Sequence, residues 1–188
     1  MVSEARTRMI EGATRLLAER GLQETSFSEV LALTGAPRGS IYHHFPDGKD
    51  QLVGEAVQLA GERAIAMLES KRGSSAAEVA EFFLEMWRTL LTRTDFRVGC
   101  SVVAVTVATD SAELTDATAA VFRGWRARLA ELLEEGGVPA DQAGRLAATV
   151  IAGSEGAVVL SRAERSIEAF DLVAAQLVED VRRASGPV

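Results

Sequence analysis

The sequence predicts an all-α protein of about nine helices, with a small three-helix N-terminal domain and a larger helical C-terminal domain. Apolar residues recur at intervals of three and four along most of the 188 residues, which is the spacing of one helix face. Short runs rich in Gly, Pro and Ser separate these segments. The valine-rich stretch 100–109 has the composition of a strand, but the sequence offers no second strand to pair with it, so a short buried helix is predicted. The predicted domains are residues 1–48 and 49–188.

Two helices are predicted at the start of the chain. The first runs from Ser3 to Arg20 and stops at Gly21. The second begins after Ser26, whose hydroxyl can cap the helix while Glu29 reaches back, as in the S-x-x-E capping box. The predicted apolar face of this second helix consists of Phe27, Val30, Leu31 and Leu33. Gly35 ends the helix, because glycine adopts a left-handed conformation at low cost.

The segment from Arg38 to His44 predicts a third, short helix that Pro37 starts. Its small and polar-tipped residues, unusual for a helix of this length, are Gly39, Ser40, Tyr42, His43 and His44. Small residues let a backbone approach another surface closely, and Arg, Ser, Tyr and His can contact phosphates and base edges. Helix, glycine-containing turn and helix form the helix-turn-helix arrangement over residues 26–45, whose second helix fits the DNA major groove. The alternative is an ordinary packing motif with a polar face.

These residues resemble the N-terminal domain of the TetR family of transcriptional regulators, with its pattern I-A-x-x-A-G-V-S-x-G-x-x-Y-x-H-F and a preceding threonine. The matching residues are Thr25, Gly35, Gly39, Tyr42, His44 and Phe45. Val30-Leu31 stands where Ile-Ala is usual, and Ala36-Pro37 stands where Val-Ser is usual, which removes a side-chain cap from the third helix. The run F-P-D-G-K, residues 45–49, resembles the LmrA/YxaF-like branch, which carries one extra residue before helix 4.

Together, the residue chemistry and the resemblance predict a double-stranded DNA operator as partner. The residues expected to contact DNA are Thr25, Ser26, Arg38, Gly39, Ser40, Tyr42, His43, His44 and Lys49. A net charge of −7 argues against indiscriminate nucleic-acid binding. Residues 1–72 hold nine Lys and Arg against ten Asp and Glu, which leaves a near-neutral head with a local patch of Arg38, Lys49 and one of Arg6 or Arg8. Lys49 either holds a phosphate at the start of helix 4, which Asp47 caps, or is a solvated surface lysine.

The remaining helices are predicted at 49–71, 76–93, 111–135 and 139–163, and Ser166 caps a last one. The predicted helix over 139–163, which is helix 8 of the chain, carries glycines and alanines. These residues suit either a helix-packed dimer interface or close packing within the monomer. The family resemblance implies a four-helix interface of helices 8 and 9 in a two-fold homodimer, which presents recognition helices about 34 Å apart. The predicted interface residues are Ala152, Gly153, Gly156, Phe170, Val173 and Leu177.

Most aromatic and Met residues of the C-terminal part are either core or the lining of a small-molecule cavity. The resemblance implies a cavity, and its apolar character predicts an aromatic or lipophilic effector. The predicted lining residues are Met67, Phe83, Met86, Trp87, Phe96, Cys100, Val103, Phe122, Trp125 and Glu155. Glu155 either contacts the ligand or forms a structural ion pair with Arg126 or Arg162.

Catalysis is not predicted. His43 and His44 are adjacent on a helix, about 100° apart, and cannot converge on one metal, while Cys100 has no local base. No metal and no cofactor are therefore expected. One cysteine, a charged N-terminus and the lack of a long apolar run predict a cytoplasmic protein without a membrane partner. The predicted function is a ligand-responsive homodimeric repressor on a palindromic operator; a helical scaffold that does not bind DNA is the alternative, and an activator role stays open.

Overall fold

A computed structural model of the protein describes residues 4–186, and these residues form nine α-helices and no strand. The all-α prediction is confirmed. The helices are α1 (Glu4–Arg20), α2 (Phe27–Thr34), α3 (Arg38–His44), α4 (Lys49–Glu69), α5 (Ala76–Arg93), α6 (Ser101–Thr106), α7 (Ala112–Glu135), α8 (Ala140–Glu164) and α9 (Glu168–Ser185). The predicted start at Ser3 lies outside the described residues.

The valine-rich stretch forms the short helix α6. The Cys100 Sγ caps it by accepting a hydrogen bond from the Val103 backbone N–H, at 3.4 Å. Val102 and Val105, three residues apart, are fully buried, whereas Val107, just past the helix end, is 78% exposed. One buried helix face therefore overrides the strand preference of β-branched residues.

The described chain divides into two compact units. The first runs to Arg63 and includes Cys100–Phe122; the second comprises Ala64–Gly99 and the chain from Arg123 onward. Helices α4 and α7 each contribute residues to both units. The predicted functional boundary at 48/49 divides the chain differently and stays a prediction.

In the first unit, α1 packs against α2, α3 and α6. The fully buried core residues of this unit are Met9, Ala13, Leu17, Val30, Ile41, Phe45, Val53, Ala56, Val57, Val102 and Val105. In the second unit, α9 packs against α5 and α8. The larger core residues of the second unit with at most 1% exposure are Leu68, Val79, Leu91, Leu129, Leu132, Leu133, Val150, Phe170 and Val181.

The end of α7 touches the start of α5 at Gly136. The Gly136 carbonyl accepts a hydrogen bond from the Ala76 N–H at 3.0 Å, and a Cβ added at Gly136 would lie 2.3 Å from that nitrogen. This Cβ would clash with backbone atoms of Ser75 and Ala76, which cannot move aside as a flexible side chain can. Gly136→Ala is therefore expected to lower the free energy of unfolding by about 2 kcal/mol or more. The matched change Gly144→Ala, where nothing lies within 4 Å of an added Cβ, is expected to raise it by roughly 0.5–1 kcal/mol. Urea unfolding measures both, and equal midpoints would contradict this account of Gly136.

Candidate nucleic-acid interface

Caps at both ends define α2, and the cap at its C-terminal end sets the turn into α3. The Ser26 Oγ accepts a hydrogen bond from the Glu29 N–H at 3.2 Å, as predicted. The reciprocal half of the capping box is not formed, because the Glu29 carboxylate accepts from the Arg20 guanidinium at 2.8 Å. Gly35 ends the helix at φ 66°, and its N–H donates to the Leu31 carbonyl at 2.9 Å. The chain thereby reverses within three residues.

Helix α3 begins at Arg38 without a side-chain cap, because its N-cap residue is Pro37. Ser40 compensates in part: its backbone N–H and its Oγ donate to the Pro37 carbonyl at 3.0 Å and 2.7 Å. Ile41 and Phe45, four residues apart, are fully buried and hold the helix on its neighbours. One face of this short helix is thus anchored and the other is left to solvent.

The outward face of α3 is formed by Arg38, Gly39, Tyr42 and His43, all of which are exposed. Tyr42 is 70% exposed, and its ring meets the edge of Phe27 with the centroids 5.5 Å apart. Nothing lies within 4 Å of a Cβ added at Gly39. Ser40 and His44 are half-buried beside this face. The surface combines open space along the backbone with donors and acceptors, which is suited to the floor of a DNA groove.

Three residues of the predicted motif do not lie on the surface that the sequence assigned to them. Thr25 is 1% exposed, and its hydroxyl donates to the Gly21 carbonyl at 2.8 Å, so its side chain supports the start of α2 and is not part of the outward face. Lys49 is half-buried, and its Nζ donates to the Leu22 carbonyl at 2.9 Å. Leu33 is 43% exposed and does not belong to the buried face of α2.

The predicted basic patch is also smaller than expected. Arg6 pairs with Glu55 on α4 at 2.6 Å, and Arg8 pairs with Glu4 at 2.9 Å. Arg38 is left as the exposed cation of the predicted patch on α3 itself. Arg8 and Glu4 are four residues apart on α1, a spacing that is visible in the sequence, whereas the Arg6–Glu55 pair depends on how α1 lies against α4 and is not.

Comparison with known proteins places this geometry in a family. A model described as bacterial regulatory proteins, tetR family, matches residues 9–56, and one described as transcriptional regulator LmrA/YxaF-like, C-terminal domain, matches residues 76–176. An uncharacterized HTH-type transcriptional regulator of Mycobacterium tuberculosis is 39% identical over 179 residues, which cover 92% of this chain and 91% of that protein. The chain belongs to the TetR family of transcriptional regulators. Its α1–α3 segment is a TetR-family DNA-binding domain, and the protein is a regulator and not an enzyme.

Other relatives agree with this TetR-family assignment. The HTH-type transcriptional regulator YxaF of Bacillus subtilis is 28% identical over 184 residues, 96% of each chain. The HTH-type transcriptional repressor AcnR of Corynebacterium glutamicum is 35% identical over 83 residues, 44% of this chain and 42% of its own. A crystal structure of the regulatory protein TetR from Rhodobacter sphaeroides has the same fold, with a TM-score of 0.83 over 94% of this chain and 98% of that one, at 22% identity.

The residues predicted to line an effector cavity are divided between the two units. Cys100, Val103 and Phe122 belong to the first, and the other seven to the second. Phe83, Cys100 and Trp125 are buried, whereas Met67 is 45% exposed and points away from the core. A groove of about 650 Å³ on the second unit lies between α5 and α9, and none of the ten predicted residues lines it. Over residues 4–186, His, Cys, Asp and Glu form no group of three or more that could hold a metal ion.

The six residues predicted for the dimer interface fall into two groups. Phe170 and Leu177 are at most 5% exposed within the chain. Gly153 packs on Leu177 in the contact between α8 and α9, and Phe170 lines the groove between α5 and α9, so these three are used within the chain. Ala152 and Gly156 are exposed, and Val173 is half-buried. The prediction that Ser166 caps α9 needs a small correction: the N-cap is Ile167, and the Ser166 Oγ accepts from the Glu168 N–H at 3.2 Å.

Arg38 and Lys49 are expected to differ in how they affect DNA binding. Arg38→Ala should lower the slope of log affinity against log salt by about 0.9, the value for one lost phosphate contact. Lys49→Ala should leave that slope unchanged and lower the free energy of unfolding by about 1–2 kcal/mol, because the Leu22 carbonyl loses its charged donor. Salt titrations of DNA binding and thermal unfolding separate the two effects. A reduced slope for Lys49→Ala would restore the phosphate role that the sequence allowed.

Proposed function

We propose that this TetR-family regulator is a cytoplasmic homodimeric repressor that binds a palindromic operator and leaves it when a small apolar effector binds. The observation that supports operator reading best is the outward face of α3. Arg38, Tyr42 and His43 project from it, and Gly39 leaves room for the groove floor. Ser26, at the start of α2, is placed to contact the flanking phosphate backbone.

A homodimer is supported by apolar surface on α8 that the chain itself does not cover. The small or apolar residues Ala152, Gly156, Val159 and Leu160 lie along one exposed face of the helix. Val159 is 57% and Leu160 47% exposed, and Leu172 on α9 is 68% exposed. Helix α8 is long and apolar enough to cross a membrane, and 39% of its most apolar window is buried within the chain. The chain therefore leaves much of this apolar surface uncovered. A second copy of α8 and α9 would cover this surface, and a two-fold dimer carries two copies of α3.

The effector is supported by the composition of the second unit, and the repressor role by the name of a relative. Phe83, Met86, Trp87 and Trp125 put a concentration of aromatic and Met side chains into the second unit, as an apolar effector would require. Effector control then needs a ligand with different affinities for the DNA-bound and free conformations. The repressor role is supported by the name of the relative AcnR, which is similar over 83 residues, 44% of this chain.

The test is selection of duplexes from a random library by the full-length protein, followed by gel retardation with the selected sequence. The proposal expects an inverted-repeat consensus and one retarded complex that contains two protomers. Titration with the aromatic anion 1-anilinonaphthalene-8-sulfonate, whose ring system is apolar, should raise its fluorescence and release the duplex. Failure to enrich any sequence at low salt would reject operator binding and favour a scaffold, and enrichment of a site without symmetry would reject the dimer.

A further inference from the structure

The position of α3 depends on more than its own packing. A helix of seven residues that includes Gly39 and lacks a side-chain cap is only marginally stable alone. Its C-terminal end is set by Phe45, which is fully buried, and by the turn that follows, where Gly48 has φ 89° and donates to the Phe45 carbonyl at 3.1 Å. Whatever fixes this turn also fixes the angle at which α3 leaves the domain.

A polar network reaches this turn from α1 and α4. Arg6 on α1 donates to the Glu55 Oε1 at 2.6 Å, and its guanidinium carbon lies 5.2 Å from the centroid of the Phe45 ring. The same Glu55 oxygen accepts from the Gln51 Nε2 at 3.2 Å. The Gln51 Oε1 in turn accepts from the Asp47 backbone N–H at 3.2 Å, inside the turn. The path therefore runs from α1 through α4 to the backbone just after α3.

The Arg6–Glu55 pair is the partly buried end of this network, whereas the hydrogen bond from the Asp47 N–H to Gln51 is exposed. The Arg6 and Glu55 side chains are each only 25% exposed, so solvent screens their pairing less than it screens a surface pair. Charge-assisted hydrogen bonds of this kind are also directional. The sequence assigned Asp47 as the cap of α4, but its side chain is exposed, and it is the Asp47 backbone N–H that donates to the Gln51 Oε1.

From these contacts we infer that Arg6, Glu55 and Gln51 are positioning residues that set the angle of α3 for operator reading, without touching DNA. The inference rests on the proposed function. It differs from the simple expectation that Arg6 binds a phosphate, and the two make opposite predictions for Glu55. If Arg6 binds phosphate, loss of the Glu55 charge frees the arginine and removes a repulsive charge, so affinity rises. If the network positions α3, the same loss weakens binding.

The chain offers a matched control. Arg63 on α4 pairs with Glu11 on α1, so this ion pair joins the same two helices. Among the hydrogen bonds of the described residues in the first unit, none joins Arg63 or Glu11 to the turn after α3. Glu11→Gln and Glu55→Gln each remove one negative charge from the same unit.

The experiment measures the affinity of full-length wild type, Glu55→Gln, Glu11→Gln and Gln51→Ala for the duplex that wild type selects and for a scrambled duplex. Glu55→Gln and Gln51→Ala are expected to bind the selected duplex about tenfold more weakly, the effect of one lost charge-assisted hydrogen bond. Binding to the scrambled duplex, the salt slope and the helical circular dichroism should match those of Glu11→Gln. Gln51→Ala changes no charge, so a lower affinity of this variant cannot be an effect of net charge.

Equal or tighter specific binding by Glu55→Gln overturns the positioning role while leaving the proposed function intact. An equal loss on both duplexes also overturns it, because the effect would then not depend on operator reading. So does a loss of helical circular dichroism at the assay temperature, because it would mean general unfolding. If wild type selects no duplex, the proposed function and this inference fail together.

Discussion

Gly39→Leu is expected to give a protein that is more stable than wild type and binds the selected duplex far more weakly. Nothing lies within 4 Å of an added Cβ at this position, so the folded chain accepts the side chain. Loss of a helix-interior glycine should raise the free energy of unfolding by roughly 0.5–1 kcal/mol. If α3 lies in the major groove, the same side chain occupies the space of the bases. Affinity for the selected duplex should then fall by roughly two orders of magnitude, about 3 kcal/mol.

Two companion variants make this result interpretable. Gly39→Ala should show the same gain in stability with a smaller loss of affinity, because its side chain is a single methyl group. Ala120→Leu adds a similar side chain at an exposed position of α7 and should leave operator affinity unchanged. Fluorescence anisotropy with the selected duplex and thermal unfolding provide both measurements. Wild-type affinity for Gly39→Leu would show that this face of α3 does not meet DNA.

If the proposed dimer forms, Gly156→Arg is expected to convert it into folded monomers. An added Cβ at Gly156 meets nothing within 4 Å, and the residue lies on the exposed apolar face of α8. In a two-fold interface the substitution places an arginine near its own symmetry copy, which adds repulsion to the loss of close helix packing. Sedimentation should show monomers at concentrations where wild type is dimeric. Operator affinity should fall at least 100-fold, because a single α3 reads only half of the site.

Gly153→Leu would be a poor test of the same interface. The Leu177 Cδ1 lies 3.1 Å from an added Cβ at Gly153, so the larger side chain disrupts the contact between α8 and α9 within one chain. Its loss of dimer would follow from loss of fold, and reduced thermal stability should accompany it. If Gly156→Arg sediments as wild type does, the dimer uses another surface.

The sequence predicted the elements well because each carried its own local signal. Helix α5 begins and ends at the predicted residues, and its start is set by the complete capping box of Ser75 and Glu78, which follows the left-handed Gly73. The same signal was only half right for α2, because the Glu29 carboxylate had a stronger partner in Arg20, nine residues earlier. No local pattern identifies such a competitor.

The candidate site was predictable where side-chain type decided the outcome, and not where tertiary contacts did. The exposed face of Arg38, Tyr42 and His43 follows from the burial of Ile41 and Phe45 at helical spacing. Lys49 had an alternative that the sequence did not reveal, the Leu22 carbonyl 27 residues away. Likewise, Gly153 and Gly156 are equivalent in sequence, and only the position of α9 shows that one is used within the chain.

The most direct test of the account is methylation interference on the selected operator. Dimethyl sulfate modifies guanine N7 in the major groove and adenine N3 in the minor groove. We expect interference at guanine N7 in two symmetric clusters, one helical turn of about 10 base pairs or a multiple apart. Interference confined to adenine N3, or a single cluster without a symmetric partner, would contradict a pair of α3 helices in the major groove.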